Sequence, residues 1–208
     1  MIKLFCPILL LLFIQSASAQ VQVTKLDKKT VPASVKYSGH IIDAVKYKDS
    51  GGEYLVITTE TGETPTKNSE MEGRDAALYA YHYTIEGNGV YKSTWQTYDF
   101  IKDCPVDINA SFIPGTFAVT DLDKNGKAEV WLMYKTVCHG DVSPSNMKII
   151  MHEGDKKYAV RGTNKVKLSA TETEGGKYTF DEVFKNGPEA FRQYAAKLWQ
   201  KNIMETWK

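Results

Sequence analysis

Eight short apolar runs alternate with turn-forming residues along the middle of this chain, and that alternation limits the fold more than any other feature. The runs are YSGHIIDAVKY, EYLVITTE, DAALYAYHYTI, GVYKSTWQTYDFI, TFAVTDL, AEVWLMYKTV, NMKIIMHE and KKYAVRGT. They are rich in Val, Ile, Thr and Tyr, which suit a pleated, half-buried surface. KDSGG, EGNG, DKNGK and EGDK separate successive runs and carry the Gly, Asn and Asp that short hairpins need. The pattern predicts a mainly β domain of antiparallel strands over residues 37–179.

The runs also fall into two related halves. AVKYKDSGGEYLVI from Ala44 aligns with AVTDLDKNGKAEVW from Ala118. The shared positions are Ala44/Ala118, Val45/Val119, Asp49/Asp123, Gly52/Gly126 and Val56/Val130. A hairpin closing on Glu-Gly follows each copy, at Glu86-Gly87 and Glu153-Gly154. Residues 37–100 and 112–165 are therefore expected to form two four-stranded meanders. Two such units are too few to close a propeller, which leaves a sandwich or a partly open sheet.

The ends differ from the middle. Residues 1–19 carry Lys3, an apolar core from Leu4 to Ile14 and the small-residue close Ala17-Ser18-Ala19. That is the pattern of a secretory signal peptide cleaved after Ala19. The core falls short of the about 20 apolar residues that span a bilayer. Cys6 sits inside it, away from the position a lipoprotein anchor needs. Residues 20–36 read as a polar leader. Residues 180–208 read as a helical segment packed on the sheet, with Asn186 as cap and Pro188 in the first turn. Phe191, Tyr194, Ala195, Leu198 and Trp199 share one face at helical spacing. The expected location is the periplasm or the extracellular space.

The chain has 26 Lys and Arg against 25 Asp and Glu, and losing Lys3 with the signal peptide brings the two into balance. Balanced charge gives no footprint for nucleic acid or an anionic membrane. Of three cysteines, Cys6 lies in the expected signal peptide, so Cys104 and Cys138 remain. An exported chain is expected to join them in a disulfide; the alternative is two buried thiols.

The most chemically pointed stretch is FAVTDLDKNGKAEVWLMY, Phe117 to Tyr134. Asp121, Asp123, Asn125, Lys127 and Glu129 stand at alternate positions around Gly126, in the order D-x-D-x-N-G-x-x-E. Alternate oxygen-bearing side chains on a tight loop can point at one centre, and the Lys127 carbonyl can add another oxygen. Calcium takes about 6–8 hard oxygen ligands of this kind. The pattern is not an EF-hand, because the residue twelfth in the loop is Leu132 and the flanks are strand-like. The loop resembles the calcium loops of FG-GAP and VCBS-type repeats, in which a metal loop joins two strands and the ninth residue is acidic. That resemblance implies a structural calcium. Those loops usually carry Asp where this chain has Glu129. The competing reading is a solvent-exposed hairpin, for which Asn125-Gly126 alone is a strong signal. The first repeat has Tyr47, Asp49, Gly51, Gly52 and Leu55 at the matching places and reads as a metal-free turn.

Other candidates are weaker. His139 and Asp141 follow Cys138 and are expected to share a face in a polar pocket or surface loop. A catalytic Cys138 is excluded if it is bridged. His40, His82 and His152 have no zinc-ligand spacing. Tyr79, Tyr81 and Tyr83, with Tyr91, Trp95 and Tyr98, can line a saccharide-stacking surface, but strand alternation also accounts for them. Catalytic residues remain unassigned.

Two segments carry a wider resemblance: VTDLDKNGKAEVWLMYKTVCHGDVSPSNMKIIMHEG, Val119 to Gly154, and FRQYAAKLWQKN, Phe191 to Asn202. With the first repeat they resemble a family of exported bacterial proteins catalogued under surface polysaccharide biosynthesis. The resemblance implies an envelope role linked to lipopolysaccharide or another surface glycan, with a saccharide or envelope protein as partner. The expectation is a calcium-binding β domain acting as a binding or accessory module. An enzyme acting on a surface saccharide and a purely structural interaction protein are the rivals.

Overall fold

The computed structural model describes residues 20–205. The signal peptide expected at 1–19 lies outside the described residues. Thirteen strands form: β1 Gln22–Lys25, β2 His40–Asp49, β3 Gly52–Pro65, β4 Arg74–Glu86, β5 Val90–Cys104, β6 Ile108–Phe112, β7 Ala118–Thr120, β8 Glu129–Cys138, β9 Asn146–Glu153, β10 Lys156–Thr163, β11 Lys165–Lys167, β12 Thr173–Gly175 and β13 Tyr178–Phe180. Two helices follow, α1 Glu182–Lys185 and α2 Glu189–Lys201.

The strands make two antiparallel sheets and a small ribbon. One sheet runs β1-β2-β3-β4-β5 and the other β13-β10-β9-β8-β6, with β7 sharing an edge of β8 with β6. The first half of the chain thus supplies β2–β5 to one sheet, and the second half supplies β7–β10 to the other. Neither sheet closes on itself.

Alternation decides which residues meet. Along β4, Ala76, Leu78 and Ala80 point to the second sheet, where they join Leu132, Tyr134, Ile150 and Ala159 in one core. The residues between them, Tyr79, Tyr81 and Tyr83, face the other way. There they pack with Leu55, Ile57 and Val35. β8 is buried on both faces, so its sequence is a continuous apolar run. Trp131 and Met133 leave its far face to meet Phe184, Phe191, Ala195 and Trp199 of the two helices. The layers therefore run from N-terminal segment to first sheet, second sheet and helices.

Two sequence expectations are revised, and one strand is new. The leader is not free of the domain: β1 pairs with β2, and Val35 is buried. The stretch after β5 carries β6, whose Ile108, Ala110 and Phe112 enter the core between the sheets. Asn186 does not cap the start of the long helix. It closes α1 from behind, its side chain donating to the Glu182 carbonyl at 2.9 Å, while Asp181 caps α1. Pro188 precedes α2, and Arg192 pins the turn between the helices by donating to the carbonyls of Phe184, Lys185 and Gly187.

Cys104 at the end of β5 and Cys138 at the end of β8 are bonded, with a Cα–Cα distance of 5.9 Å. The bridge ties one sheet to the other. No helix among the described residues is long and apolar enough to cross a membrane.

Candidate metal centre

β7 and β8 are the arms of a hairpin in which Thr120 lies opposite Glu129. The loop between them turns through Lys124 at φ 59° and Gly126 at φ 81°. Gly suits the second position because a side chain is strained there.

Glu129 is fully buried, and its carboxylate is held on three sides. The Thr120 hydroxyl donates to Oε2 at 2.6 Å, and the Leu122 amide donates to both oxygens at 3.0 Å. The Trp131 indole N–H donates to the Thr120 oxygen at 2.8 Å, which fixes that hydroxyl in turn. Asp123 accepts the Asn125 amide N–H at 3.2 Å and the Asn125 side-chain NH₂ at 3.1 Å. Asp121 accepts the Gly126 amide on one oxygen at 3.2 Å. Its other oxygen is buried and has no hydrogen-bond partner.

One oxygen each from Asp121, Asp123 and Glu129 lies within 4.8 Å of the others. Among the described residues, no Lys or Arg forms an ion pair with any of the three. Burial pushes the Glu129 carboxyl up to about 7, and the Asp123 and Asp121 charges push the same way, against the hydrogen bonds from Thr120 and Leu122. Desolvation and like charges both disfavour the anion. A divalent cation would relieve both, and it would give the free Asp121 oxygen a partner. The donor set is all oxygen and suits a hard ion such as calcium. The residues fit that ion.

Of the expected ligands, Asp121, Asp123 and Glu129 come together. Asn125 does not turn its oxygen to them: Oδ1 accepts the Lys127 amide at 2.7 Å, and Nδ2 donates to Glu153 at 2.6 Å as well as to Asp123. The Lys127 carbonyl accepts no hydrogen bond among the described residues.

Sequence reading missed the groups that hold this loop from outside. Asp49, in the turn of the first repeat, accepts the Ala128 amide at 2.9 Å, and the Ser50 amide donates to the Gly126 carbonyl at 2.8 Å. The repeat alignment had paired Asp49 with Asp123. It carried no sign that one hairpin docks on the other. Thr120 was likewise read only as part of a strand.

The remaining candidates fall out as follows. His139 Nδ1 lies 3.1 Å from the Asp141 carbonyl and 3.4 Å from its carboxylate, so the two neighbour each other in a surface loop where Asp141 is exposed. The side chain and amide of Ser143 hold the Asp141 carboxyl below its ordinary range. Tyr79, Tyr98 and Phe100 form an outer ladder, at 4.8 Å and 5.1 Å between centroids and within 18° of parallel. Tyr98 and Phe100 are each 50% exposed. His82 and His152 are buried between the sheets with Trp95 stacked between them, at 4.7 Å and 3.9 Å.

No protein-family model, curated protein or solved structure matches this chain.

Proposed function

We propose that the chain is an exported β-sandwich module whose 121–129 hairpin binds one calcium ion as a structural pin. We assign it a binding or accessory part in cell-surface polysaccharide production. One observation carries the metal: three carboxylates converge without a basic partner, and one of their oxygens is buried and unpartnered. Buried carboxylates without a counter-charge are costly, and an ion at their centre removes the cost. The ligands would be Asp121, Asp123 and Glu129, joined by the Lys127 carbonyl and, after an amide turn, by Asn125.

The glycan part of the reading is supported by the sequence resemblance over 119–154 and 191–202. Export is supported by the residue pattern of 1–19, and the bonded cysteine pair is compatible with it. Outside the loop, three carboxylates that an enzyme could use are already ion-paired, which supports the binding reading. Asp43 pairs with Lys25 at 3.1 Å, Glu53 with Lys48 at 3.2 Å, and Asp99 with Lys148 at 2.5 Å.

Calorimetric titration of the purified protein with calcium, alongside Asp123→Ala, tests the metal. One site should appear in the wild type and vanish in the variant. Saturating calcium at about 100 times its dissociation constant should add about 2.7 kcal/mol of stability, reversed by chelator. No heat and no melting shift would sink the proposal.

A further inference from the structure

The helices do not cover the whole outer face of the second sheet. Trp131 and Met133 of β8 lie beneath them, and the next residues on that face are Lys135 and Val137. In the β6–β8 register, Ser111 sits opposite Lys135 and Asn109 opposite Val137, so all four point to the same side. Two hollows open here and share Lys135 and Glu205 as a common wall.

The hollow towards β6 and the 139–145 loop, of about 230 Å³, is mixed, with Asp107, Asn109, His139 and Ser145 around it beside Ile108 and Val137. The hollow towards the C-terminal segment, of about 120 Å³, has an apolar side made by Ile113, Pro114 and Met204. The wall between them is set in place before any ligand arrives. Lys135 Nζ donates to Glu205 Oε1 at 2.5 Å. The side chain of Asn164, itself buried, donates to Glu205 Oε2 and accepts the Ser145 amide at 2.8 Å. His139 Nε2 lies 3.5 Å from the Ser145 hydroxyl, and the His139 amide donates to the Asp107 carbonyl at 3.1 Å. The Cys104–Cys138 bond anchors the loop one residue before His139.

We infer that this trough is a binding site for a hydroxyl-rich ligand without negative charge, a neutral or amino saccharide unit. Three features select that class. Asn109, His139 and Ser145 in the larger hollow can each give or take hydrogen bonds, which suits hydroxyls that do both. The apolar side suits the C–H face of the same ring, and convergent polar groups beside apolar surface are the mark of small-ligand sites. Asp107 and Asp141 add carboxylates where the Lys135 charge is already paired, so an anionic sugar is repelled. The inference rests on reading the chain as a binding module and is independent of the metal loop.

Saturation-transfer NMR with glucose, glucosamine and glucuronate as probes, in calcium buffer and again in EDTA, tests it. Glucose and glucosamine should receive saturation and glucuronate little. Asn109→Trp, at an exposed position, fills the larger hollow and should weaken binding by roughly tenfold or more. His139→Ala is the second variant, with a smaller loss in the same direction. No transfer to any of the three sugars, transfer favouring glucuronate, or unchanged transfer in both variants overturns the site. Sugar transfer that persists in EDTA, with calorimetry silent for calcium, overturns the metal reading alone. Calcium binding without sugar transfer overturns the trough alone.

Discussion

The carboxylate of Asp49 accepts the backbone N–H of Ala128 at 2.9 Å across 79 residues of chain. The contact joins the turn of one repeat to the loop of the other, and so joins the two sheets. Asp49 also accepts the Gly51 amide at 2.7 Å, which shapes its own turn. The first hairpin, without metal ligands, is a bracket for the hairpin that has them.

Replacing Asp49 by Ala should therefore act at a distance. Ala128 is buried, and its amide would lose its partner. An orphaned buried donor costs about 1–3 kcal/mol. Denaturant unfolding should show a loss of that size. Calcium affinity should fall as well, because Ala128 precedes Glu129. A variant with wild-type affinity would show that the bracket does not position the ligands.

Glu129 predicts how stability follows pH in calcium-free protein. Its folded value of about 7 stands above the ordinary 4.5. The fold therefore favours the protonated form. That stability is fully present below about 4.5 and is lost as pH rises through about 7. At roughly 1.4 kcal/mol per pH unit of difference, the loss is of order 3 kcal/mol. Glu129→Gln removes this falling contribution, so the wild-type minus variant difference in stability should decline across that window, and the variant should not respond to calcium. Melting in EDTA at several pH values reads this directly. A wild-type minus Glu129→Gln difference that does not decline between the two values would contradict it.

The two interior histidines work in the opposite sense. Burial holds His82 down to about 4 and His152 down to about 3, from an ordinary 6.5. Both are neutral in the fold, while the unfolded chain takes up protons as pH falls below about 6.5. Their contribution is present above that value and is lost as pH drops towards the folded values. His152→Phe keeps a ring against Trp95 and removes one titrating group. In a Glu129→Gln background, which silences the opposing carboxylate, the acid-side loss should shrink by roughly half. An acid limb that is unchanged in the variant would assign the effect to other groups.

How much of this was legible in the residues depends on range. β2–β5 and β7–β10 follow from local alternation and turn residues, and so does the loop spacing of Asp121, Asp123 and Glu129. β1 and β6 did not show, because the short, exposed QVTK and the short INASF become strands only when a neighbouring edge offers hydrogen bonds. Asn186 looked like an N-cap because Pro188 follows it, whereas Asp181 had already started a shorter helix. The docking of Asp49 on Ala128 depends on how the sheets stack, and the trough at Lys135 depends on how β6, the 139–145 loop and the C-terminal segment meet on the outer face of the second sheet. No local pattern encodes that. The cysteine pair was legible because two residues leave only one pairing.

That pair supports the last prediction. The bridge closes a sequence separation of 34 residues between the ends of β5 and β8. On the chain-entropy relation, a loop of this length restricts the unfolded state by about 4 kcal/mol. The Cys104→Ala, Cys138→Ala double variant should lose stability on that scale, seen as a lower denaturant midpoint. It should also loosen the 139–145 loop, since Cys138 anchors it. Sugar transfer should weaken in this variant, while the calcium heat should persist, because the metal loop is held by β7, Asp49 and Thr120 rather than by the bridge. Equal loss of both would mean that the sheets come apart as one unit. Loss of sugar transfer alone would place the bridge specifically behind the trough.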